Sequence, residues 1–335
     1  MATTRTRPPL GIRLVFGLRK EPDWESLPLP ELYALRDAQN RAAAAGRLRA
    51  VTGFPDRGAD IAGDRLALPG RDLPVRVYRP RAAPQGRLPL VLHVHGGGYL
   101  GTAAQCDWVS SRVAAKLPAV VVSVDHRLLT PDLPMAAAVD DGWDALRHLV
   151  RHAAEWGVDP ERVAVFGESA GGLIAAMAAI RARDARLPLR AQVLVNPCTD
   201  LTATAFDYGS MAEHGDSPTL NMPRLELLRR FAVPEGADAR AVSPLHAGDL
   251  GGLAPALVVV PVLDPLADHG RAYAERLREA GTAVRLSEHP GAGHAFLNMS
   301  GLVRQAKEAR TRITAFLAER LRERARPDRG APGRS

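Results

Sequence analysis

One serine lies among small residues in the segment VFGESAGG, residues 165–172. The pattern G-x-S-x-G is typical of a nucleophile elbow, in which a serine occupies a sharp turn between a strand and a helix. The residues before it are apolar and valine-rich, and residues 170–183 form an alanine-rich run with helical character. A glycine-rich turn without chemistry satisfies the same pattern. The strand before and the helix after favour Ser169 as a nucleophile.

Three consecutive glycines follow a second apolar run, LPLVLHVH at residues 88–95. Such glycines expose backbone N–H groups without side-chain obstruction, which suits an oxyanion hole. We expect Gly97 and Gly98 to donate, together with Ala170 at the start of the helix that follows Ser169. A flexible surface loop is the alternative interpretation of the glycines.

Serine-based acyl transfer also needs a base and an acid that orients the base. Asp264 directly follows the apolar run 255–263, and His294 lies in a loop after a further strand-like run. The chain order serine, aspartate, histidine is the order found in α/β hydrolases. Asp264 could instead cap a helix, and Asp268 competes as the acid. We rank Asp268 lower because it lies deeper in the start of the next predicted helix.

Short apolar runs alternate with longer helical patterns from about residue 73 onward. The predicted strands are 73–80, 88–95, 119–126, 162–167, 191–197, 255–263 and 283–289. The predicted helices are 136–156, 170–183, 269–280 and 301–324, with Asp268 as an N-cap of the third. This alternation predicts a mostly parallel, doubly wound sheet. In such sheets ligand crevices form beyond the carboxyl ends of strands, where each candidate site residue falls.

Two segments do not follow this alternation. Residues 1–50 contain an amphipathic helical pattern, and residues 201–250 are an apolar insertion. Both could simply pack against the sheet, but we favour a lid over a pocket. The sequence therefore predicts an N-terminal cap segment at 1–50 and a catalytic domain at 51–322, with a cap insertion at 201–250 and a disordered basic tail at 323–335.

Composition excludes several classes of protein. The 335 residues include 44 Lys and Arg against 37 Asp and Glu, a net charge of +7. The basic excess lies near the chain ends without interleaved aromatic residues, so we expect no nucleic-acid partner. Two cysteines, Cys106 and Cys198, are too few for a disulfide framework or a cysteine zinc site. Without an apolar run of about 20 residues or a signal-peptide pattern, we expect no membrane span and a cytoplasmic protein.

The chain resembles the hormone-sensitive-lipase-like branch of the α/β hydrolases, which includes bacterial carboxylesterases. The matching motifs are His95-Gly-Gly-Gly98, Gly167-Glu-Ser-Ala-Gly-Gly172, Asp264-Pro-Leu-Ala-Asp268 and Gly293-His294-Ala-Phe296. The resemblance covers about residues 72–322. It implies an α/β-hydrolase fold with a helical cap. The catalytic residues that it implies are the triad Ser169, Asp264 and His294, and the oxyanion-hole donors Gly97, Gly98 and Ala170.

The resemblance also implies hydrolysis of small-molecule esters with short or medium acyl chains, without a metal or cofactor, and it allows a homodimer. Three residues depart from the family pattern: His126 replaces a usual tyrosine, His269 a usual glutamate, and Ala295 a frequent glycine. None of them removes a member of the triad. An amidase or deacetylase of an acetylated small molecule is the alternative enzyme, and a non-catalytic small-molecule receptor is the alternative outside enzymes.

Overall fold

Within the described part of the chain, the strands form one eight-stranded sheet. A computed structural model describes residues 8–17 and 21–322, so the predicted tail at 323–335 lies outside the described residues. The strands are β1 Ala59–Leu68, β2 Arg71–Pro80, β3 Leu88–Val94, β4 Val120–Val124, β5 Val158–Glu168, β6 Ala191–Val195, β7 Ala256–Leu263 and β8 Val284–Gly293. Each of the seven predicted strands is present, and β1 is an additional one.

The strands are arranged in the order β1-β2-β4-β3-β5-β6-β7-β8. The β1–β2 and β2–β4 pairs are antiparallel, and every pair from β4 to β8 is parallel. The mostly parallel sheet predicted from the sequence is therefore confirmed. The β1 strand, ADIAGDRLAL, has no long apolar run because it lies at the sheet edge, pairs only with β2 and is largely exposed.

Helices cover both faces of the sheet. They are α1 Leu10–Gly17, α2 Leu29–Ala44, α3 Arg49–Thr52, α4 Asp107–Lys116, α5 Met135–Arg151, α6 Ala153–Trp156, α7 Ala170–Asp184, α8 Gly209–His214, α9 Met222–Ala232, α10 Ala267–Glu279 and α11 Gln305–Leu321. The predicted helix 136–156 is divided at His152, whose φ and ψ are −99° and 24°. Asp268 is not the N-cap of α10, as the sequence had suggested, but lies within its first turn.

The core has one layer on each side of the sheet. Val122 packs in one layer with residues of α5, α7 and α10, such as Leu146 and Leu277. Its neighbour Val121 packs in the other layer with residues of α4 and α11, such as Leu317. Successive side chains of a strand point to opposite faces, so a valine-rich run fills both layers at once. This arrangement is the doubly wound architecture that the alternation predicts.

A third apolar cluster joins the two segments that interrupt the alternation. Trp24 and Leu32 come from the N-terminal segment, and Leu228 and Phe231 come from α9. Tyr99 lies between them, with ring centroids 6.4 Å from Trp24 and 6.2 Å from Phe231. These helices therefore pack on the loop after β3. Within the described parts of the chain, no helix has both the length and the apolar character needed to cross a bilayer.

Candidate active site

Ser169 occupies a strained turn between β5 and α7. Its φ of 54° and ψ of −119° lie in a region that residues with a side chain rarely adopt. The turn is held on both sides, because the Ser169 N–H donates to the Val195 carbonyl at 2.9 Å and the Leu173 N–H donates to the Ser169 carbonyl at 3.1 Å. The sheet and the helix together impose this conformation on the serine.

The glycines around Ser169 are required by close backbone contacts. A Cβ atom on Gly167 would lie 2.0 Å from the Gly171 carbonyl oxygen, and one on Gly171 would lie 2.2 Å from the Val94 carbonyl oxygen. No side chain fits at such distances, so α7 approaches β3 and β5 more closely than another residue type would allow. The sequence pattern thus corresponds to an elbow rather than to an ordinary glycine-rich turn.

The structure brings Ser169, His294 and Asp264 into one chain of hydrogen bonds. His294 Nε2 lies 2.9 Å from Ser169 Oγ, and His294 Nδ1 lies 2.8 Å from Asp264 Oδ2. A carboxylate only accepts, so His294 carries its proton on Nδ1 and leaves Nε2 free to accept from the serine. The exposed fraction is 9% for Ser169, 6% for His294 and 0% for Asp264. Ser169 and His294 line the cavity, whereas Asp264 does not.

Asp264 and Asp268, the two candidate acids, have different partners. The second carboxylate oxygen of Asp264 accepts the Leu266 N–H at 2.9 Å, which fixes the carboxylate toward His294. Asp268 instead accepts the Ser210 N–H at 2.8 Å and pairs with Arg271 at 2.8 Å. Burial raises the pKa of Asp268, but the hydrogen bonds from Arg271 and Ser210 outweigh it and lower the pKa. Asp268 thus joins α8 to α10 and does not contact His294.

The glycine loop, residues 96–98, lies directly against the elbow. A Cβ on Gly96 would lie 3.2 Å from Ser169 Cβ, and one on Gly98 would lie 3.7 Å from Ala170 Cβ. Gly97 and Gly98 have φ values of 114° and 50°, which favour glycine. Among the described residues, the N–H groups of Gly97, Gly98 and Ala170 have no protein acceptor. The loop therefore places two unpaired donors beside the serine and the start of α7 adds a third, as an oxyanion hole requires.

A buried polar group behind the elbow was not identified from the sequence. Glu168 Oε2 accepts from Asn298 Nδ2 at 2.6 Å, and its Oε1 lies 3.4 Å from His93 Nε2. His93 Nδ1 in turn lies 2.7 Å from Ser123 Oγ. Asn298 belongs to the turn after His294, so this group ties the serine loop to the histidine loop. Its one sequence signal is an acidic residue at the end of an apolar strand.

His93 and Glu168 also lie close to Cys106. One potential ligand atom from each of these three side chains lies within 4.8 Å of the other two. Histidine, thiolate and carboxylate are the usual ligands of zinc. Burial, and then the charge of Glu168, raise the pKa of the Cys106 thiol well above its ordinary value. Without a bound metal the Cys106 thiol therefore stays protonated, as in a buried core cysteine.

A cavity of about 530 Å³ opens onto Ser169 and His294. Its walls are mainly apolar and come from both segments predicted to cover the site. They include Phe16, Leu35 and Leu48 from the N-terminal segment, Val51 directly after it, and Leu220, Leu225 and Leu228 from the insertion. Asn40 of α2 accepts the Gly101 N–H at 3.0 Å, which ties this helix to the loop after β3. The particular lining residues were not predicted from the sequence.

The three departures from the family pattern are accommodated locally. Ala295 adopts a left-handed conformation with φ 57° and ψ 21°, where glycine has no steric penalty. His126 stacks on His95 at 4.4 Å, and burial lowers the pKa of both imidazoles. His269 Nε2 lies 2.9 Å from the Ala205 carbonyl, and burial lowers its pKa as well. His126 and His269 form no hydrogen bond with the triad, and Ala295 directly follows His294 in the chain.

Comparison with known proteins identifies esterases as relatives of this chain. The family model described as alpha/beta hydrolase fold matches residues 91–298. A carboxylesterase from Mycobacterium tuberculosis is 41% identical over 261 residues, which cover 75% of this chain and 79% of that protein. An ethyl acetate hydrolase from Pseudomonas putida is 34% identical over 261 residues, covering 75% and 80%.

A solved ester-hydrolase from the metagenome of Lake Arreo, in complex with a bipyridine phosphonate derivative, superposes with a TM-score of 0.83. It is 31% identical, and the match covers 93% of this chain and 99% of that one. The sequence, the fold and the geometry of the site all indicate the same family. The chain belongs to the α/β-hydrolase fold family, in its hormone-sensitive-lipase-like branch.

Proposed function

We propose that the protein is a serine carboxylesterase that hydrolyses short- to medium-chain acyl esters through an acyl-enzyme intermediate. The observation that carries this proposal is the unbroken hydrogen-bonded series Ser169–His294–Asp264 at the wall of an apolar cavity. The esterases among its relatives support the same activity.

The first step is attack of Ser169 on the ester carbonyl. His294 Nε2 accepts the proton of Ser169 Oγ as the oxygen forms its bond to the carbonyl carbon. The imidazolium that results is stabilised by Asp264, whose carboxylate already accepts from Nδ1. Because Asp264 is fully buried, its charge is little screened by solvent.

The tetrahedral intermediate places a negative charge on the former carbonyl oxygen. The unpaired N–H groups of Gly97, Gly98 and Ala170 stabilise this charge. Loss of one essential donor of this kind reduces transition-state stabilisation by ~2.7–4 kcal/mol. Since all three donors are backbone groups, the glycine loop and the start of α7 supply them without side-chain reorganisation.

The intermediate collapses when His294 donates its proton to the leaving alcohol, and the acyl group remains on Ser169. Water then enters, His294 takes one of its protons, and the hydroxyl oxygen adds to the acyl carbon. When this second intermediate collapses, the bond to Ser169 Oγ breaks, His294 returns the proton to Oγ, and the carboxylic acid is released. The same histidine therefore acts as base and acid in both halves of the reaction.

The cavity supports substrates of modest size. Its volume of about 530 Å³ lies in the range that holds small organic ligands. Its apolar walls favour the hydrocarbon part of an ester over bulk water. Location in the cytoplasm and assembly as a homodimer stay predictions from the sequence.

The test is hydrolysis of p-nitrophenyl acetate by the purified protein and by Ser169→Ala. We expect the unmodified protein to be active and the variant to lose essentially all acyl-enzyme turnover. Ser26→Ala, which changes an exposed serine, is the matched control and keeps full activity. Near-normal turnover in Ser169→Ala contradicts the assignment of the nucleophile. Matched ester and amide substrates separate an esterase from an amidase.

A further inference from the structure

The apolar cavity contains a guanidinium group. Arg224, in the first turn of α9, is the one arginine or lysine among its described lining residues. Glu168 is the one acidic residue among them, and its carboxylate is already engaged by Asn298 and His93 behind the elbow. The remaining walls are neutral and mostly apolar, so Arg224 dominates the charge that a bound substrate meets.

Arg224 lacks an acidic partner. Its Nη1 donates to the Thr219 carbonyl at 3.1 Å, and its guanidinium carbon lies 5.0 Å from the Trp24 ring centroid. Nε is buried and has no acceptor within the described residues. Among the described residues, no carboxylate lies within ion-pair distance of Arg224. The Glu21 carboxylate accepts a hydrogen bond from Trp24 Nε1 at 2.8 Å.

Some of the other partly buried arginines are neutralised by carboxylates, whereas Arg229, Arg276 and Arg310 donate to backbone carbonyls outside the cavity. Arg71 and Arg127 both pair with Asp141 at 2.9 Å, and Arg76 pairs with Asp107 at 2.6 Å. Removing a cation from water is unfavourable unless an opposite charge replaces the lost hydration. At Arg224 none of the described residues supplies that opposite charge, although Arg224 lines the cavity that opens onto Ser169.

Arg224 lies next to both halves of the proposed catalytic machinery. Leu228, four residues after Arg224 in α9, contacts the glycine loop. A Cβ atom built on Gly98 would lie 2.3 Å from a methyl carbon of Leu228, so α9 packs on this loop. Residues four apart share a helix face and are separated by about 6 Å along the axis. On the other side, Thr219, which accepts from Arg224, has its hydroxyl 3.3 Å from a Cβ built on Gly293, the residue before His294.

This position sets the length of a suitable substrate. Arg224 and Gly98 line the same cavity, and Leu228, which contacts the loop, is one helical turn after Arg224, so a substrate that reaches both needs only a short chain between its ester carbonyl and its charged end. Carboxylates match the planar guanidinium and form two parallel hydrogen bonds with it. The net charge of +7 also favours the approach of anions.

On the basis of the proposed esterase function, we infer that Arg224 forms a carboxylate subsite and that the enzyme prefers esters carrying a carboxylate a few carbons from the ester bond. Arg224 binds and orients the anionic end, and the apolar wall holds the carbons between. The subsite selects substrates and takes no part in the proton transfers.

The test uses pairs of esters in which a carboxylate replaces a terminal methyl group. On the acyl side the pairs are ethyl hydrogen succinate with ethyl butanoate and ethyl hydrogen glutarate with ethyl pentanoate. On the alcohol side, 4-acetoxybutanoate is paired with butyl acetate. The measured quantity is the ratio of kcat/KM within each pair, from acid release in a pH-stat. A ratio well above one in either series supports the inference and identifies which half of the ester meets Arg224.

Substitutions in α9 test whether Arg224 causes the preference for anionic esters. In Arg224→Gln the ratio for the preferred pair falls by about 10- to 100-fold, as expected for loss of a charge-assisted hydrogen bond. Arg224→Lys keeps the charge but not the fork, and gives an intermediate ratio. Arg230→Gln removes an exposed arginine of the same helix that does not line the cavity, and keeps the original ratio.

A second measurement does not depend on any variant. Added salt lowers the anionic-to-neutral ratio of the unmodified protein, because mobile ions screen the attraction. Ratios at or below one in both series, or a ratio that Arg224→Gln leaves unchanged, overturn the carboxylate subsite while neutral-ester hydrolysis leaves the esterase proposal intact. If neutral esters are not hydrolysed either, the proposed function itself fails.

Discussion

The two walls of the cavity satisfy their polar groups in different ways. On the sheet wall, Ser169, Asp264 and His294 follow three separate strands and are hydrogen-bonded to one another. On the helix wall, α2 and α9 present apolar side chains and one guanidinium without an acidic partner. The side chains of the sheet wall satisfy one another, and only backbone donors of the glycine loop and α7 await a ligand there, whereas on the helix wall a charged side chain does. We therefore propose that the sheet wall provides reactivity and the helix wall provides selectivity, and substitutions on each wall test this division.

The largest effect is expected on the sheet wall, from Asp264→Asn. Loss of the carboxylate favours the wrong His294 tautomer and leaves the imidazolium unstabilised, so kcat falls by about 10⁴-fold. Asp268→Asn is the matched control, since its carboxylate serves Ser210 and Arg271 and not His294. Steady-state kinetics on p-nitrophenyl acetate measures both. Equal losses in the two variants would refute the choice of Asp264.

A smaller effect is expected on the helix wall, from Leu228→Ala. The shortened side chain enlarges the cavity beside Gly98 and removes contacts with a short acyl group. The ratio of kcat/KM for hexanoate to that for acetate esters should rise about tenfold, with the change mainly in KM. A uniform loss of kcat for every chain length would place Leu228 with the chemistry instead of with selectivity.

The buried histidines His95 and His126 are expected to make the free energy of unfolding depend on pH. Burial lowers the pKa of His95 and His126 in the folded protein, so below about pH 6.5 the unfolded chain binds protons that the folded one does not. The free energy of unfolding therefore falls with acidification, by at most about 1.4 kcal/mol per pH unit for each histidine.

His126→Tyr tests this explanation with the residue that the family usually carries. The variant should lose part of the acid sensitivity, measured as the urea midpoint of unfolding between pH 7 and pH 5. Because His95 remains, a smaller slope is expected rather than a flat profile. An unchanged slope would show that the stacked pair does not control acid stability.

The smallest effect is expected from Ala295→Gly, next to His294. Glycine relieves the left-handed conformation of residue 295 but loses more conformational entropy on folding. These terms nearly cancel, so we expect a gain of at most about 1 kcal/mol in the free energy of unfolding and nearly unchanged kcat. Thermal denaturation measures the first quantity. A large drop in kcat would mean that the alanine positions His294.

The sheet wall could be predicted from the sequence because its backbone tolerates few residue types. Gly167 and Gly171 have no room for a side chain, and each triad residue follows a strand that is recognisable from its apolar run. Strong local constraints of this kind appear directly as motifs. The parallel sheet was predictable for the same reason, whereas the polar edge strand β1 was not.

The helix wall could not be predicted in the same detail. Trp24 and Arg224 lie 200 residues apart in the chain, and only the folded structure brings them together. Apolar periodicity predicts that α2 and α9 cover something, but not which side chains face the cavity. The Glu168–Asn298 hydrogen bond is equally non-local, since it joins residues 130 positions apart.

The central claim is that Ser169 is a nucleophile activated by His294, and covalent labelling tests it most directly. We expect a fluorophosphonate probe to add one equivalent to the intact protein, with peptide mass mapping placing the label on Ser169. The His294→Ala variant, without the base, should label far more slowly. Absence of labelling, or a label on another residue, would contradict the account.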